Sequence, residues 1–390
     1  MERKGAEMKI TEVETLVMGA SWRNLIFLKV KTDEGLTGIG ECTLHNREEG
    51  VIGYIQGAVR RHVIGSDPFD IEDRWLRMYR NEFWRGGPIA CTVMSGVEIA
   101  CWDIVGKATG QPVWRLLGGR CHEKIKAYAN AWYTVERKPQ EFARRVKVVL
   151  DKGYKALKVD PFGPGGLEIS QKEKNLSVDL VAAIRDAVGP DVEIFVEMHG
   201  RFSASTAIDL ARMLEPFRPG WIEEPCPPED ITSLKRVAEH TEIPIATGER
   251  CLTRYGSREV LESGAVDIFQ GDVIHAGGLL EMKKLAAIAD VRSIVMAPHN
   301  SNGPVCTAAS VHFDFCTPNI KVQECFDDFS ETWVVDAVPG TPRPHDGYFH
   351  LPEKPGLGIE LNEDLIKQHP YQEGFFNMWE SDWHMRQFQK

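Results

Sequence analysis

Six ionisable residues recur at a nearly constant spacing through the second half of the chain, each at the end of a short apolar run. They are Glu197, Glu223, Glu249, Asp272, His299 and Glu324, separated by 26, 26, 23, 27 and 25 residues. One strand, one helix and two short loops need about that many residues. In a closed barrel of such units, the side chains that follow the strands gather at one end. The spacing therefore predicts a barrel with a site at that end.

The apolar runs extend this pattern to eight repeats, which predicts an α/β fold of the (β/α)8 type. They are IKAYAN, ALKVDPF, VEIFVEMHG, GWIEEP, PIATGE, DIFQGD, SIVMAPH and IKVQE. An open doubly wound sheet is the competing architecture, but no G-x-G-x-x-G follows the first strand. Strand patterns at 8–45 followed by helical patterns at 50–120 predict a small α+β domain. We therefore place a capping domain at 1–125, the barrel at 126–350 and a segment returning to the capping domain at 351–390.

The composition argues against several classes of protein. With 46 Lys and Arg against 57 Asp and Glu, the net charge is −11, whereas nucleic-acid-binding proteins usually carry a basic face. No apolar run reaches ~18 residues, so we predict no transmembrane helix and no membrane partner. The N-terminus is too polar for a signal peptide, and nine scattered cysteines form no C-x-x-C pair. We therefore expect a cytoplasmic protein with reduced cysteines.

Three of the recurring residues predict a metal site. Glu197, Glu223 and Glu249 end successive strands of the predicted barrel, so their carboxylates should converge. Neighbouring anions repel one another unless a cation lies between them. Oxygen ligands without cysteine or histidine select Mg²⁺, or Mn²⁺, over Zn²⁺. A strand-end carboxylate can instead cap a helix, but three at this spacing favour a metal.

The next strands carry a candidate pair for proton transfer. Asp272 and His299 follow adjacent strands, and a carboxylate bonded to one imidazole nitrogen makes the ring a general base. The alternative is a capping aspartate and a solvated loop histidine. His199 lies two residues after Glu197, and so on the same side of its strand. From there it could act as an acid.

Two further ionisable residues are expected near the reacting centre. Lys158 ends the second apolar run and Glu324 ends the eighth. The alternatives are a surface lysine and a structural carboxylate. An ammonium group at the strand ends could stabilise negative charge that develops on a substrate.

These motifs resemble the enolase superfamily, in its mandelate racemase-like branch. The helix VEIACWDIVGKATGQPVWRLLGG is followed in order by IEEP, TGER, QGDVIHAGG and PHN, so the resemblance covers nearly the whole chain. It implies an α+β capping domain and a modified (β/α)7β TIM-type barrel. The metal ligands, the His–Asp base and the eighth-strand carboxylate of the family fall on Glu197, Glu223, Glu249, His299, Asp272 and Glu324.

The chain departs from the racemases of this branch on the second strand. They carry K-x-K, whereas this chain reads Lys158-Val159-Asp160, which disfavours a racemase because that reaction needs a base on each face. Strand three reads EMHGRF and is similar to the sugar acid dehydratases, particularly gluconate and galactonate dehydratases. In that group a histidine at the position of His199 protonates the departing hydroxyl. Mannonate dehydratases generally lack an aspartate at the position of Asp272, so the presence of Asp272 argues against that subgroup.

The resemblance implies a Mg²⁺-dependent hydro-lyase that acts on an aldonate such as gluconate or galactonate. His299 takes the C2 proton, the metal and Lys158 stabilise the enediolate, and the 3-hydroxyl leaves to give a 2-keto-3-deoxy sugar acid. The alternatives are a dehydratase of an aldarate or a pentonate, a single-base epimerase, and a non-catalytic barrel that binds a sugar acid. Relatives in this branch form even-numbered assemblies, so we expect a homo-oligomer as large as an octamer.

The substrate contacts are expected from the capping domain and the first three barrel strands. They are Asp160, Arg201, His45, Trp84, Arg85, Asn130 and Trp132. Polar side chains among them could bond the hydroxyl groups of a sugar acid. The glycines of FWRGGP suit a loop that closes over a site, although Trp84 and Arg85 could equally be packing or rim residues.

Overall fold

The N-terminal part of the chain forms an α+β domain. The computed structural model describes residues 8–389, which begin with a three-stranded antiparallel sheet. Its strands are β1 (Ile10–Ala20), β2 (Arg23–Thr32) and β3 (Thr37–Glu41). The helices that follow are α1 (Glu48–His62), α2 (Ile71–Arg80), α3 (Pro88–Thr109) and α4 (Val113–Leu116). Gly35, with a φ of 79°, makes the turn between β2 and β3.

Helix α3 packs closely against this sheet. It has Pro88 in its first turn, and it is followed by Gly110, whose left-handed conformation favours glycine. A Cβ on Gly40 would lie 2.0 Å from the carbonyl oxygen of Gly96, so the close approach requires a glycine in the sheet. Among the described residues, α3 is the one helix long and apolar enough to cross a membrane. However, 83% of its most apolar stretch is buried inside the molecule.

Eight parallel strands form the barrel, and strands that follow one another along the chain are neighbours in space. They are β4 (Ile125–Ala129), β5 (Ala156–Val159), β6 (Glu193–Glu197), β7 (Trp221–Glu223), β8 (Ile245–Thr247), β9 (Ile268–Phe269), β10 (Val295–Met296) and β11 (Gln323–Cys325). Strand β11 pairs with β4, and a parallel bridge between Met296 and Ile320 closes the ring. The predicted barrel with a capping domain is thus confirmed.

Helices join consecutive strands, in the (β/α)7β order. They are α5 (Pro139–Arg145), α6 (Lys147–Asp151), α7 (Gln171–Val188), α8 (Ala204–Leu214), α9 (Ile231–Ala238), α10 (Thr253–Gly256), α11 (Arg258–Glu262), α12 (Leu279–Val291) and α13 (Pro304–Phe315). The side chains of Ser170, Ser203 and Asp230 accept hydrogen bonds from backbone N–H groups in the first turns of α7, α8 and α9. These N-caps fix the residues at which the loops after β5, β6 and β7 end and the helices begin.

Beyond β11, the chain crosses the capping domain and returns to the mouth of the barrel. This part contains α14 (Thr332–Asp336), β12 (Tyr348–Phe349) and α15 (Glu363–Gln368), with β12 antiparallel to β4. Lys29 Nζ in β2 lies 2.5 Å from Glu363 Oε1. Further along, Arg386 donates a hydrogen bond of 2.9 Å to the carbonyl oxygen of Ala131 in the barrel. The exact residue boundaries of the three predicted regions stay a prediction.

Candidate active site

The inside of the barrel is built in two layers. The lower layer is an apolar cluster of one residue from each repeat: Tyr128, Ala156, Phe195, Trp221, Ala246, Ile268, Ala297 and Val322. Side chains two residues apart on a strand point the same way, so the residues two positions later form the next layer. These are Asn130, Lys158, Glu197, Glu223, Gly248, Gln270, His299 and Glu324. A polar ring therefore lies above an apolar floor, at the C-terminal ends of the strands.

The structure brings the three candidate metal ligands together. One carboxylate oxygen from each of Glu197, Glu223 and Glu249 lies within 4.8 Å of the others. Glu197 and Glu223 are register partners at the ends of β6 and β7, and both are fully buried. Lys158 Nζ lies 2.6 Å from Glu223 Oε1 and 3.5 Å from Glu197 Oε2. Its ammonium group therefore compensates part of the negative charge.

Burial shifts the pKa of the charged groups in this cluster. Burial, reinforced by the Glu197 carboxylate, raises the pKa of Glu223 well above its usual value. Burial opposes the charge on Lys158, but the carboxylates of Glu223 and Glu324 outweigh it and raise the pKa of Lys158 well above its usual value. The lysine is therefore a permanent cation, whereas Glu223 can take up a proton when no other cation is near.

A divalent cation fits the donor set of this cluster. Oε2 of Glu197 is buried and has no hydrogen-bond partner among the described residues, and a buried anionic oxygen is costly without one. All three groups offer carboxylate oxygens, the donors that Mg²⁺ and Mn²⁺ prefer. The residues that would hold such an ion are Glu197, Glu223 and Glu249.

His299 and Asp272 form a hydrogen-bonded pair beside this cluster. They follow β10 and β9 and are joined by a parallel bridge. His299 Nδ1 lies 2.7 Å from Asp272 Oδ2, and His299 Nε2 lies 3.4 Å from Glu249 Oε2. Asn302 Nδ2 donates a second hydrogen bond of 2.7 Å to Asp272 Oδ2. Burial opposes the charge on His299, but the nearby Glu249 and Asp272 raise its pKa to about 10.

His199 follows β6, four strands away from β10 around the ring of eight, and so faces the cluster from the other side. Its Nδ1 lies 2.5 Å from Asp160 Oδ2, and Arg201 forms an ion pair with the same carboxylate oxygen. The ring of Trp383 packs edge-on against His199, with centroids 5.3 Å apart. Burial lowers the pKa of His199 to about 4, although the Glu249 carboxylate acts to raise it.

Glu324 links the second strand of the barrel to its first and last strands. Its Oε1 accepts a hydrogen bond of 2.7 Å from Asn130 and lies 3.0 Å from Lys158 Nζ. Its Oε2 accepts a hydrogen bond of 2.7 Å from the backbone N–H of Asn300. The buried Trp132 donates its Nε1–H to the carbonyl oxygen of Lys158 at 2.8 Å. Asn130 and Trp132, predicted as substrate contacts, thus hold Glu324 and the backbone of β5.

A cavity of about 600 Å³ opens above the ring. His199, His299 and Glu249 line it, together with His45 from the loop after β3. Burial lowers the pKa of His45 to about 4, so its imidazole is neutral at physiological pH. Of the predicted substrate contacts, His45 is the one that lines this cavity directly.

Two predicted substrate contacts lie away from the cavity. Trp84 is 88% exposed, and Arg85 is exposed on the same loop. Gly86 and Gly87, with φ values of 74° and 82°, turn the chain sharply into α3. The cavity is consequently lined by Pro88 rather than by Trp84 or Arg85. The structure therefore does not support those two residues as substrate contacts.

Several residues of the site were not found from the sequence. Gln270 belongs to the polar ring and is 1% exposed, and neither its amide oxygen nor its amide nitrogen has a partner among the described residues. Its position two residues after the apolar Ile268 is the signal that could have found it. Met378 and Trp379 line the cavity from the C-terminal segment, where no β/α period gives a comparable signal.

Two family models match the chain in the order of its two main parts. The model described as mandelate racemase / muconate lactonizing enzyme, N-terminal domain, matches residues 7–118. The model described as enolase C-terminal domain-like matches residues 141–365. Among curated relatives, D-galactonate dehydratase of Klebsiella pneumoniae (strain 342) is 38% identical over 364 residues, which are 92% of this chain and 94% of the relative. D-gluconate dehydratase of Thermoproteus tenax is 35% identical over 367 residues, which are 92% of this chain and 74% of the relative.

Solved structures share the fold over both parts of the chain. The mandelate racemase/muconate lactonizing enzyme-like protein from Roseovarius sp. TM1035 has a TM-score of 0.89 at 38% identity, covering 94% of this chain and 96% of that one. A member of the enolase superfamily from Salmonella Typhimurium has a TM-score of 0.88 at 33% identity, covering 93% of this chain and 98% of that one. The chain therefore belongs to the enolase superfamily, in its mandelate racemase and muconate lactonizing enzyme branch.

Proposed function

We propose that this enzyme is a sugar acid dehydratase, a hydro-lyase that acts on an aldonate such as D-gluconate or D-galactonate. It removes the C2 proton, eliminates the 3-hydroxyl as water and releases a 2-keto-3-deoxy sugar acid. The observation that carries the proposal is the pair of histidines that line one cavity from opposite sides of the carboxylate cluster. His299 and His199 each pair with a carboxylate. The relatives named as D-galactonate and D-gluconate dehydratases support the same reaction class.

The proposal includes Mg²⁺ as the resident cofactor, with Mn²⁺ as a substitute. When bound by Glu197, Glu223 and Glu249, the ion supplies positive charge that favours ionisation next to the substrate carboxylate. The convergence of three carboxylate oxygens within 4.8 Å supports this assignment. Lys158, buried beside them, adds a fixed positive charge of the protein itself. Such preorganised charge is usually the largest contribution to stabilising an enediolate.

In the proposed reaction His299 takes the C2 proton. Asp272 accepts the hydrogen bond of Nδ1–H, so Nε2 is the nitrogen that faces the carboxylate cluster. The Glu249 carboxylate is a main cause of the raised pKa of His299. A cation held by Glu249 would oppose that rise and favour the neutral ring, in which Nε2 can accept a proton. Proton removal leaves electrons that delocalise into the carboxylate as an enediolate. Asp160 stands where a racemase of this branch carries its second basic lysine. The reaction therefore has one base, which favours elimination over racemisation.

His199 acts on the opposite side by giving a proton to the departing 3-hydroxyl. Burial lowers the pKa of its ring to about 4, so a neutral ring predominates at physiological pH. The Asp160 carboxylate against Nδ1 favours the imidazolium form. The acid form is therefore a minor one, and we expect the elimination rate to fall as the pH rises and depletes it.

A substrate panel tests the proposed function. The protein is incubated with Mg²⁺ and a set of aldonates, aldarates and pentonates, and 2-keto-3-deoxy acids are measured, with EDTA as the control. We expect product from a six-carbon aldonate and none in EDTA. Product from only an aldarate or a pentonate would reassign the substrate, and an epimerised acid would indicate a single-base epimerase. Binding without any turnover would indicate a non-catalytic sugar acid-binding barrel.

We further propose that the enzyme works as a homo-oligomer in the cytoplasm. Phe83 and Trp84 are 86% and 88% exposed and pack against each other, and apolar groups of this kind are common at protein interfaces. The cysteines of the described residues are all free, as in a reducing compartment. Light scattering of the purified protein would give the oligomer size, and a monomer at working concentrations would contradict this assembly.

A further inference from the structure

The carboxylate of Asp160 is fully engaged within the protein. Asp160 directly follows β5, and its side chain is buried. Oδ1 accepts a hydrogen bond of 2.8 Å from the backbone N–H of Phe162. Oδ2 lies 2.5 Å from His199 Nδ1 and is also bonded to Arg201. This carboxylate therefore has little capacity left to bind a substrate hydroxyl, the role expected from the sequence.

The guanidinium of Arg201 is equally enclosed. Its side chain is 1% exposed. Nε donates to the carbonyl oxygen of Met198 at 3.1 Å, and one terminal nitrogen donates to that of Gly163 at 2.9 Å. The other terminal nitrogen carries the ion pair with Asp160. Because backbone carbonyls fix the guanidinium group, Arg201 holds the Asp160 carboxylate in one place and balances its charge.

We infer that Asp160 and Arg201 are positioning residues that aim His199 at the leaving group. The Asp160 carboxylate accepts the hydrogen bond of His199 Nδ1–H, so Nε2 is the nitrogen directed toward the cavity that His199 lines. The main chain of His199 is held as well, because its backbone N–H donates a hydrogen bond of 2.6 Å to Glu197 Oε1. The rings of Trp383 and His199 also pack edge-on against each other.

The arrangement repeats that of the base on the other side of the barrel. Asp272 and His299 follow the adjacent strands β9 and β10, and Asp160 and His199 follow the adjacent strands β5 and β6. In both pairs the aspartate bonds Nδ1, so Nε2 is the nitrogen turned away from the aspartate. The barrel thus carries two histidine–carboxylate pairs that face each other across the carboxylate cluster.

This inference rests on the proposed function and concerns its second step only. After His299 has taken the C2 proton, the electron pair of the enediolate forms the C2–C3 double bond. The C3–O bond breaks with its electrons going to oxygen, and the His199 Nε2 proton goes to that oxygen, so that water leaves. The enol that remains tautomerises to the 2-keto-3-deoxy acid, losing the proton of its C2 hydroxyl and gaining one at C3. Nδ1–H stays with Asp160, and solvent returns a proton to Nε2. Loss of Asp160 should therefore impair elimination and leave the first proton transfer intact.

The test is Asp160→Asn in D₂O with Mg²⁺, with D-gluconate and D-galactonate as probes. Two rates are measured together: deuterium entering C2 of recovered sugar acid, and formation of the 2-keto-3-deoxy product. We expect dehydration to fall by about 10²–10⁴, the usual contribution of a general acid, while exchange at C2 stays within a few-fold of wild type. The ratio of exchange to dehydration should therefore rise by at least tenfold.

Two more variants separate positioning from a structural role. Arg201→Lys keeps the positive charge but loses the fork, and should raise the same ratio by a smaller factor. It decides the question if Asp160→Asn does not fold. Asp103→Asn is the matched control, because Asp103 is an equally buried carboxylate of the capping domain, bonded to Lys107 and to the backbone N–H groups of Ile39 and of Leu357 in the C-terminal segment. Its ratio should equal that of wild type.

Parallel loss of exchange and dehydration in Asp160→Asn, with the ratio unchanged, would overturn the inference and leave Asp160 as a structural residue. Undiminished dehydration would overturn it as well. Failure of the proposed function looks different, because wild type itself would then form no 2-keto-3-deoxy acid from either probe. In that case the inference falls together with the function on which it rests.

Discussion

Replacing Lys158 by methionine tests whether its ammonium group holds the carboxylate cluster together. Nζ lies 2.6, 3.0 and 3.5 Å from carboxylate oxygens of Glu223, Glu324 and Glu197, and the lysine side chain is 3% exposed. Removing one partner from a buried ion pair costs about 3–5 kcal/mol. We expect the lower end, about 3 kcal/mol, because Glu223 already has a raised pKa and can take up a proton.

Mg²⁺ should recover part of this loss. A ligand at 100 times its Kd stabilises the folded state by about 2.7 kcal/mol. In wild type the ion must compete with Lys158 for Glu223 Oε1, which lies 2.6 Å from the ammonium. In Lys158→Met that competition is absent. Saturating Mg²⁺ should therefore stabilise the variant more than it stabilises wild type.

Urea unfolding, followed by tryptophan fluorescence in EDTA and in Mg²⁺, measures both effects. Lys126→Met is the control, because Lys126 pairs at 3.0 Å with Glu193 near the surface, with side chains 26% and 36% exposed. Such a pair contributes about 0–1 kcal/mol. The reasoning is refuted if Lys158→Met loses no more stability in EDTA than Lys126→Met does and gains no more from Mg²⁺ than wild type does.

Three further substitutions test other parts of the site. Asp272→Asn removes an anion that raises the pKa of His299, so the neutral base should persist to lower pH and the acidic limb of kcat/KM should move down by about 1–3 pH units. The maximum should fall by about 10²–10⁴, and an unmoved limb with near-native rate would contradict the pairing. Glu223→Gln should weaken Mg²⁺ binding, measured by calorimetry, and activity together by at least about 100-fold; near-native turnover at low Mg²⁺ would reject it as a ligand. Gln270→Leu should leave the urea midpoint unchanged or raise it, because its amide is buried without partners. It should also raise KM about tenfold, which corresponds to about 1.4 kcal/mol, and an unchanged KM would place Gln270 outside the substrate site.

The β/α period explains why the barrel and its carboxylate cluster could be predicted from the sequence. Each repeat brings the residues at and just after the end of its strand to the same end of the barrel. Glu197 and Glu223 end β6 and β7, and Glu249 lies two residues after β8, so their spacing along the chain implies their convergence. The same logic paired Asp272 with His299 across adjacent strands. These inferences need only the order of the strands, without knowledge of the side-chain directions in the loops.

Other parts of the site depend on directions and contacts that the sequence does not encode locally. Asp160 bonds His199 rather than the open cavity because Arg201 approaches the same carboxylate from the loop after β6. Trp84 points to solvent because of the turn that the following glycines make. Trp383 reaches His199 only after the chain has crossed the capping domain. No periodic sequence pattern predicts this path.

The division of labour between His299 and His199 is tested most directly by exchange of the C2 proton with solvent deuterium. The two histidines line the same cavity from opposite sides, so a substitution at either one should affect a different bond of the same substrate. His299→Asn and His199→Asn are each incubated with an aldonate and Mg²⁺ in D₂O, and deuterium at C2 is measured by mass spectrometry alongside the keto acid.

We predict that His199→Asn retains exchange at C2 and loses dehydration by about 10²–10⁴, because the base is intact and the acid is gone. His299→Asn should lose both exchange and dehydration, because no proton leaves C2. If deuterium exchange at C2 persists in His299→Asn and disappears in His199→Asn, these roles are contradicted. His199 would then be the base and His299 the acid.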